Sequence, residues 1–151
     1  MSHAGSNSLA TRQRRSPSSP LFTQSRSALE SRRSKLGRSM TVQKELERDL
    51  REILKRIVGI ADPDRVILFG SAARGEADAN SDIDLLVVKA NVPHRGRMTE
   101  DIYVGLLSVR RAVDAVVVDS EDLMKYGDAH ALIIRPALRE GRVIYERPSR
   151  S

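Results

Sequence analysis

Two aspartates separated by a single residue are the side chains of this sequence that point most clearly to chemistry. Asp82 and Asp84 lead into the apolar segment 85–88. A Gly70-Ser71 pair precedes them with ten residues between, directly after the apolar segment 66–69. A glycine turn lets the backbone approach a phosphate group, and carboxylates bind divalent cations. The combination indicates phosphoryl or nucleotidyl transfer.

The two aspartates are expected to act as a pair. Side chains of a strand alternate between its faces, so Asp82 and Asp84 project to the same side. Two like charges this close repel each other unless a cation lies between them, and oxygen ligands suit magnesium. The alternative interpretation is a pair of solvated aspartates at the end of a strand.

The Gly-Ser turn supplies the groups that could hold phosphate. Gly70 permits a positive φ, and the Ser71 hydroxyl with the following backbone amides can donate hydrogen bonds to phosphate oxygens. Arg74 lies one helical turn further on and could reach the same phosphate. It could equally pair with Glu76 or Asp78.

Composition excludes several other classes of function. The chain of 151 residues has no cysteine, which excludes disulfides, thiol catalysis and cysteine-based zinc sites. Its three histidines, at positions 3, 94 and 130, are too scattered to suggest a metal cluster. No apolar segment approaches the roughly 18 residues of a membrane helix, and there is no apolar region typical of a secretory signal. We therefore expect no membrane partner and a cytoplasmic protein.

The positive charge is concentrated in the first 39 residues. Eight of the 26 basic residues but only one of the 20 acidic residues lie there, whereas residues 40–151 hold 18 basic and 19 acidic residues. The near-neutral remainder gives no electrostatic support for a nucleic-acid partner of the folded domain. Residues 1–39 are rich in Ser and Arg and poor in apolar periodicity, so we expect a disordered extension. It could be a basic binding arm, an organellar transit peptide, or a segment with no specific role.

The domain itself is expected over residues 40–151, as alternating helices and strands. Apolar residues recur at helical spacing from Thr41 to Gly59. The remaining pattern predicts strands at 65–69, 81–89, 113–118 and 142–145, and helices at 72–77, 98–112, from Ser120, and at 130–139. This is an α/β (or α+β) fold with a small sheet. Periodicity alone leaves open whether that sheet is parallel or mixed.

The central motif resembles a known family signature. Gly70-Ser71 through Asp84, with Arg74-Gly75 and Ser81 in place, is similar to the signature of the DNA polymerase beta-type nucleotidyltransferase superfamily. The resemblance is strongest to the small stand-alone minimal nucleotidyltransferases, and it extends from about residue 40 to residue 147. It implies a mixed sheet flanked by helices, and transfer of a nucleoside monophosphate from a nucleoside triphosphate, most often ATP, with release of pyrophosphate.

The resemblance also assigns roles to residues. Asp82 and Asp84 would bind two Mg²⁺ ions, and Gly70 and Ser71 would hold the triphosphate. The superfamily takes a third carboxylate from a later strand, and Asp114 is the matching position. Asp119 competes for this role, but Asp114 enters a strand as Asp82 and Asp84 do.

The acceptor follows from the family's habits alone. Minimal nucleotidyltransferases are commonly paired with a HEPN-type RNase toxin, and some act as its antitoxin by adding AMP to a tyrosine of that toxin. We expect this chain to be such a protein adenylyltransferase. Two alternatives stay open: a module that neutralises its toxin by contact alone, and a transferase acting on an aminoglycoside-like small molecule.

Overall fold

The computed structural model describes residues 21–125 and 131–149. The helices are α1 (Leu21–Ala61), α2 (Gly70–Ala73), α3 (Arg95–Leu106), α4 (Ser120–Lys125) and α5 (Ala131–Glu140). The strands are β1 (Arg65–Phe69), β2 (Ile83–Lys89), β3 (Val113–Asp119) and β4 (Arg142–Glu146). The predicted fold class, a small mixed sheet with flanking helices, is confirmed.

The four strands form one sheet in the order β3-β2-β1-β4. β1 pairs antiparallel with both β2 and β4, whereas β2 and β3 run parallel. The parallel pair requires a crossover connection, and α3 supplies it. Consequently β2 and β3 both begin at the same end of the sheet.

The sheet is covered on both faces, which explains why its central strands are apolar throughout. On β2, Ile83, Leu85 and Val87 belong to one buried cluster with α1 and α3, whereas Leu86 and Val88 belong to a second cluster with α5. Asp84 alternates with Leu85 and so lies on the α5 face of the sheet.

Helix α1 supplies much of the first cluster through one face. Its buried residues recur at spacings of three and four: Leu46, Leu50, Ile53, Ile57 and Ala61. This periodic face is the one that the sequence predicts from Thr41 onward.

The helix begins at Leu21, twenty residues before the predicted start at Thr41. Residues 28–41 are all exposed, so no buried face leaves a periodic signal in the sequence, although good helix formers such as Ala, Leu, Arg and Lys are present. The helical stretch 21–39 differs from the expected disorder, and the expectation for residues 1–20 lies outside the described residues. The chain divides into two compact units, residues 1–36 and 37–151.

Helix α3 is displaced from its predicted bounds of 98–112. It begins at Arg95 and ends at Leu106, and Ile102 and Leu106 are buried. Leu107 is 80% exposed, because the helix ends one residue earlier and the chain turns there.

Across residues 21–125 and 131–149, no helix combines the length and the apolar character needed to cross a lipid bilayer.

We expect Leu46→Ala to lower the free energy of unfolding by about 2–5 kcal/mol, because Leu46 is 2% exposed and its removal leaves a cavity against the sheet. Leu36→Ala is the matched control in the same helix, since Leu36 is 65% exposed, and it should change stability by less than about 0.5 kcal/mol. Urea unfolding of both variants measures the difference; equal losses would contradict the assigned core.

Candidate functional site

The turn between β1 and α2 brings the backbone of Gly70 against the side chain of Asp84. Gly70 has a φ of +68°, and a Cβ built at this position would collide with the Asp84 carboxylate. The antiparallel pairing of Phe69 with Asp84 produces this approach. Glycine is therefore required both for the backbone conformation and for the space that the carboxylate occupies.

Parallel pairing brings Asp114 beside Asp84. The two residues are register partners on β2 and β3, and both side chains lie on the same face of the sheet. Asp82 stands two residues before Asp84, just outside the strand and exposed. The three predicted carboxylates thus lie at the end of the sheet where β2 and β3 begin.

Asp119 lies at the other end of β3, five residues after Asp114 and so about 17 Å from it along the strand. Its carboxylate accepts hydrogen bonds from the amides of Val92, at 2.9 Å, and Glu121, at 3.0 Å. It shapes the loops at that end, so the geometry favours Asp114 over Asp119 as the third carboxylate.

The loop before Asp82 is held by hydrogen bonds of its own. The Asp78 carboxylate accepts from the Asn80 amide at 2.8 Å and from the Ser81 hydroxyl at 2.9 Å. The Asn80 bond is the largest cause of the lowered pKa of Asp78. Sequence reasoning considered Asp78 only as a partner of Arg74, whereas the structure uses it to shape this loop.

Arg111 anchors the same loop from below. Its guanidinium donates to the carbonyl oxygens of Asp78, at 2.8 Å, and Ser81, at 3.2 Å, and forms an ion pair with Asp49 of α1. The side chain is only 6% exposed. Arg111 is thus a buried support for the loop that leads to Asp82.

The clustered charges act most strongly on Asp84. Burial raises the pKa of the Asp84 carboxyl, the nearby charges of Asp114 and Asp82 raise it further, and the positive charge of Arg74 opposes them. The pKa of Asp84 is thus affected by two nearby negative charges and by one positive charge. A divalent cation placed among the three aspartates would relieve this repulsion.

Arg74 lies close to the site but is engaged elsewhere. Its guanidinium pairs with Glu76 at 3.0 Å and lies 4.0 Å from Glu140. The pairing with Glu76 is one of the alternatives that the sequence left open. All three side chains are about half exposed, so the pairs are weak and leave the guanidinium accessible.

Ser71 occupies the second position of α2. Within the described part of the chain, its hydroxyl makes no hydrogen bond to another protein group. Its backbone carbonyl accepts from the Glu76 amide at 2.9 Å, which closes the turn that carries Arg74.

Tyr103 is the contact that sequence reasoning missed. Its hydroxyl donates to Asp114 Oδ1 at 2.9 Å and accepts from the Ala115 amide at 3.3 Å. Burial is the largest cause of the raised pKa of Tyr103. Nothing in the spacing of Tyr103 and Asp114 reveals the contact, because it depends on how α3 packs beside β3.

The donor set suits a hard cation, although the side chains do not enclose one. Three carboxylates supply oxygen ligands alone, which fits magnesium rather than zinc. Within residues 21–125 and 131–149, no group of three or more His, Cys, Asp or Glu side chains is already arranged to hold a metal ion. The three aspartates lie near one another at an open end of the strands. Their oxygen atoms are suitable ligands for magnesium, but the side chains do not surround an ion.

Neither of two clefts formed by described residues of the domain is lined by these aspartates. One of 760 Å³ lies at the opposite end of β1 and β2, lined by residues such as Arg65, Val88 and Glu146. Another of 220 Å³ lies between the end of α3 and the start of β3, next to Asp114, and includes Tyr103, Leu107 and Val113.

Comparison with known proteins agrees with this architecture. Residues 49–150 match the family described as polymerase beta, nucleotidyltransferase. The chain belongs to this nucleotidyltransferase family, as its central motif suggested. The matched range contains every aspartate of the candidate site.

A curated relative and two solved structures are similar to the chain. Over 50 residues it is 46% identical to a protein of Methanocaldococcus jannaschii named "Putative protein adenylyltransferase", an alignment that spans 33% of this chain and 46% of the relative. The chain thus covers less than half of that protein's length.

A "putative nucleotidyltransferase" from Sulfolobus solfataricus superposes with a TM-score of 0.54 at 18% identity, over 74% of this chain and 90% of the other, and shows the same fold. A toxin-antitoxin structure with AMP-PNP superposes with a TM-score of 0.44 at 22% identity, over 65% of this chain and 73% of the other. The second similarity is too low to support an inference.

The raised pKa of Asp84 predicts a pH dependence of stability in the presence of a chelator. A carboxyl whose pKa rises above its ordinary 3.8 on folding contributes stability below that pH, and the contribution is lost as pH rises through the folded-state pKa. Asp84→Asn should therefore gain stability relative to the wild type as pH rises from about 3 to about 7.

Thermal unfolding with EDTA over that pH range measures the effect, with Asp101→Asn, at an exposed position of α3, as the matched control. A constant difference between Asp84→Asn and wild type at every pH would contradict the electrostatic origin of the shift.

Proposed function

We propose that this protein transfers a nucleoside monophosphate, AMP from ATP, to a hydroxyl group of a protein acceptor. The observation that carries the proposal is the pairing of Asp84 with Asp114 on parallel strands, with Asp82 beside them and the Gly70 backbone against Asp84. Membership of the nucleotidyltransferase family supports the same reaction class.

The proposal gives each residue a role. Asp82, Asp84 and Asp114 would hold two Mg²⁺ ions, while Gly70, Ser71 and Arg74 would hold the triphosphate. The ions would supply charge neutralisation for the attacking and leaving oxygens. Asp114, at the exposed edge and furthest from the Gly70 turn, would orient the attacking hydroxyl.

Movement of Arg74 is part of this proposal. Its guanidinium is half exposed and bound to glutamates through weak pairs, so exchange of Glu76 for a phosphate group costs little. The positive charge of Arg74 acts on the Asp84 carboxyl, which supports a role for Arg74 at this site.

A protein acceptor is favoured over a long polynucleotide. Residues 40–151 carry nearly balanced charge, which gives no field to attract a nucleic acid. The relative named as a protein adenylyltransferase supports AMP transfer to protein. We propose a tyrosine of a HEPN-type toxin as the acceptor and antitoxin action as the consequence.

Asp82→Asn and Asp84→Asn should each reduce AMP transfer by at least about 10³-fold while the fold is retained, since both lose an anionic ligand but keep its shape. The assay incubates the variant with labelled ATP, Mg²⁺ and the purified product of a neighbouring HEPN-type gene. Asp101→Asn, exposed on α3, should transfer at the wild-type rate.

The same assay separates the enzyme from a module that acts by contact alone. Labelling of the toxin by the wild type, but not by Asp84→Asn, supports the transferase. Toxin binding and neutralisation by Asp82→Asn and Asp84→Asn at wild-type levels, with no label transferred by the wild type, would refute it.

Gly70→Ala and Gly75→Ala form a matched pair that tests the close approach of the Gly70 backbone to the Asp84 carboxylate. Both glycines have positive φ, so each alanine should cost about 1–2 kcal/mol of stability. A Cβ at Gly75 meets nothing within 4 Å, whereas one at Gly70 displaces the Asp84 carboxylate. Transfer should be lost in Gly70→Ala and kept in Gly75→Ala, measured at a temperature where both are folded. Equal activity would contradict the role of this contact.

A further inference from the structure

The Tyr103 hydroxyl occupies an unusual place for a structural tyrosine. It is held at the edge of the site by two hydrogen bonds, donating to Asp114 Oδ1 at 2.9 Å and accepting from the Ala115 amide at 3.3 Å. The residue is 39% exposed, so the phenol is not sealed in the core.

A hydroxyl that donates its proton to a carboxylate at this distance has the geometry of a nucleophile with its general base. Asp114 is in turn the register partner of Asp84. The phenol of Tyr103 therefore contacts Asp114, one of the carboxylates that the proposed function places beside the reacting phosphate.

We propose that Tyr103 is itself an acceptor, so that the chain transfers one nucleoside monophosphate from a nucleoside triphosphate to its own Tyr103 hydroxyl. This inference rests on the proposed function. The Tyr103 oxygen forms a bond to the α-phosphorus, the bond from that phosphorus to the β-phosphate oxygen breaks, and pyrophosphate leaves. The phenolic proton passes to Asp114 and then to solvent.

The position of Tyr103 distinguishes it from Tyr145. Tyr145 lies on β4, the opposite edge of the sheet from β3, and packs against the first core cluster. It is therefore a matched internal control for a tyrosine of the same chain without access to the aspartates. The third tyrosine, at position 126, lies outside the described residues.

Modification would limit itself. A phosphodiester on the Tyr103 oxygen removes the proton that Asp114 accepts, and the nucleotide covers the edge where another hydroxyl would have to reach Asp114. One nucleotide per chain is expected, together with slower transfer to any separate acceptor.

The test incubates the full chain with ATP and Mg²⁺, followed by intact mass measurement and peptide mapping. A mass increase of one AMP on the peptide containing Tyr103 is expected in the wild type and in Tyr145→Phe, and its absence in Tyr103→Phe. Thermal unfolding of Tyr103→Phe checks that the variant is folded, which is expected because the substitution keeps the aromatic ring.

Pyrophosphate release in the same reactions separates this inference from the proposed function. Release that depends on Asp84, with Tyr103 unmodified, would overturn the self-acceptor and leave the transferase intact. AMP on Tyr103 that persists in Asp84→Asn would overturn the assigned site. Neither release nor labelling, with or without a HEPN-type acceptor, would overturn both.

Discussion

The parallel pairing of β2 with β3 is the constraint on which the site depends. It places Asp84 and Asp114 side by side at one end of the sheet, although burial first, and then the nearby charges of Asp114 and Asp82, raise the pKa of Asp84. The free energy that holds them together comes from elsewhere in the domain. Ile83, Leu85 and Val87 of β2 are completely buried, and that burial fixes the strand in register whatever the charges at its end prefer.

Two supports at this end of the sheet act on the backbone, whereas Tyr103 donates a hydrogen bond to the Asp114 carboxylate itself. Arg111 holds two carbonyl oxygens of the loop before Asp82, and Gly70 leaves room for the Asp84 side chain. The backbone of this site is therefore held in place, while the negative charges of the neighbouring aspartates are not neutralised. A cation bound there would relieve their repulsion.

Local features of the sequence predict much of this arrangement. β1 lies at its predicted bounds, Arg65–Phe69, because a short apolar segment between turn residues has few alternatives. The Gly70 turn, with its positive φ, follows from backbone geometry in the same way. The assignment of Asp114 came from family resemblance, and its catalytic role, like those of Asp82, Asp84, Gly70, Ser71 and Arg74, stays a prediction.

Contacts between distant residues could not be predicted. Arg111 reaches Asp49 across 62 positions, and the phenol of Tyr103 reaches Asp114 only because α3 packs beside β3. The first twenty residues of α1 escape detection for a different reason: periodicity records a buried face, and residues 28–41 have none.

The most direct test of the central claim is a crystal structure of the chain with Mn²⁺ and a non-hydrolysable ATP analogue, in which anomalous scattering locates the metal. The account predicts manganese coordinated by Asp82, Asp84 and Asp114, with the triphosphate against the Gly70-Ser71 turn. Metal and nucleotide bound at the opposite end of the sheet, in the cleft beside Arg65 and Glu146, would contradict it.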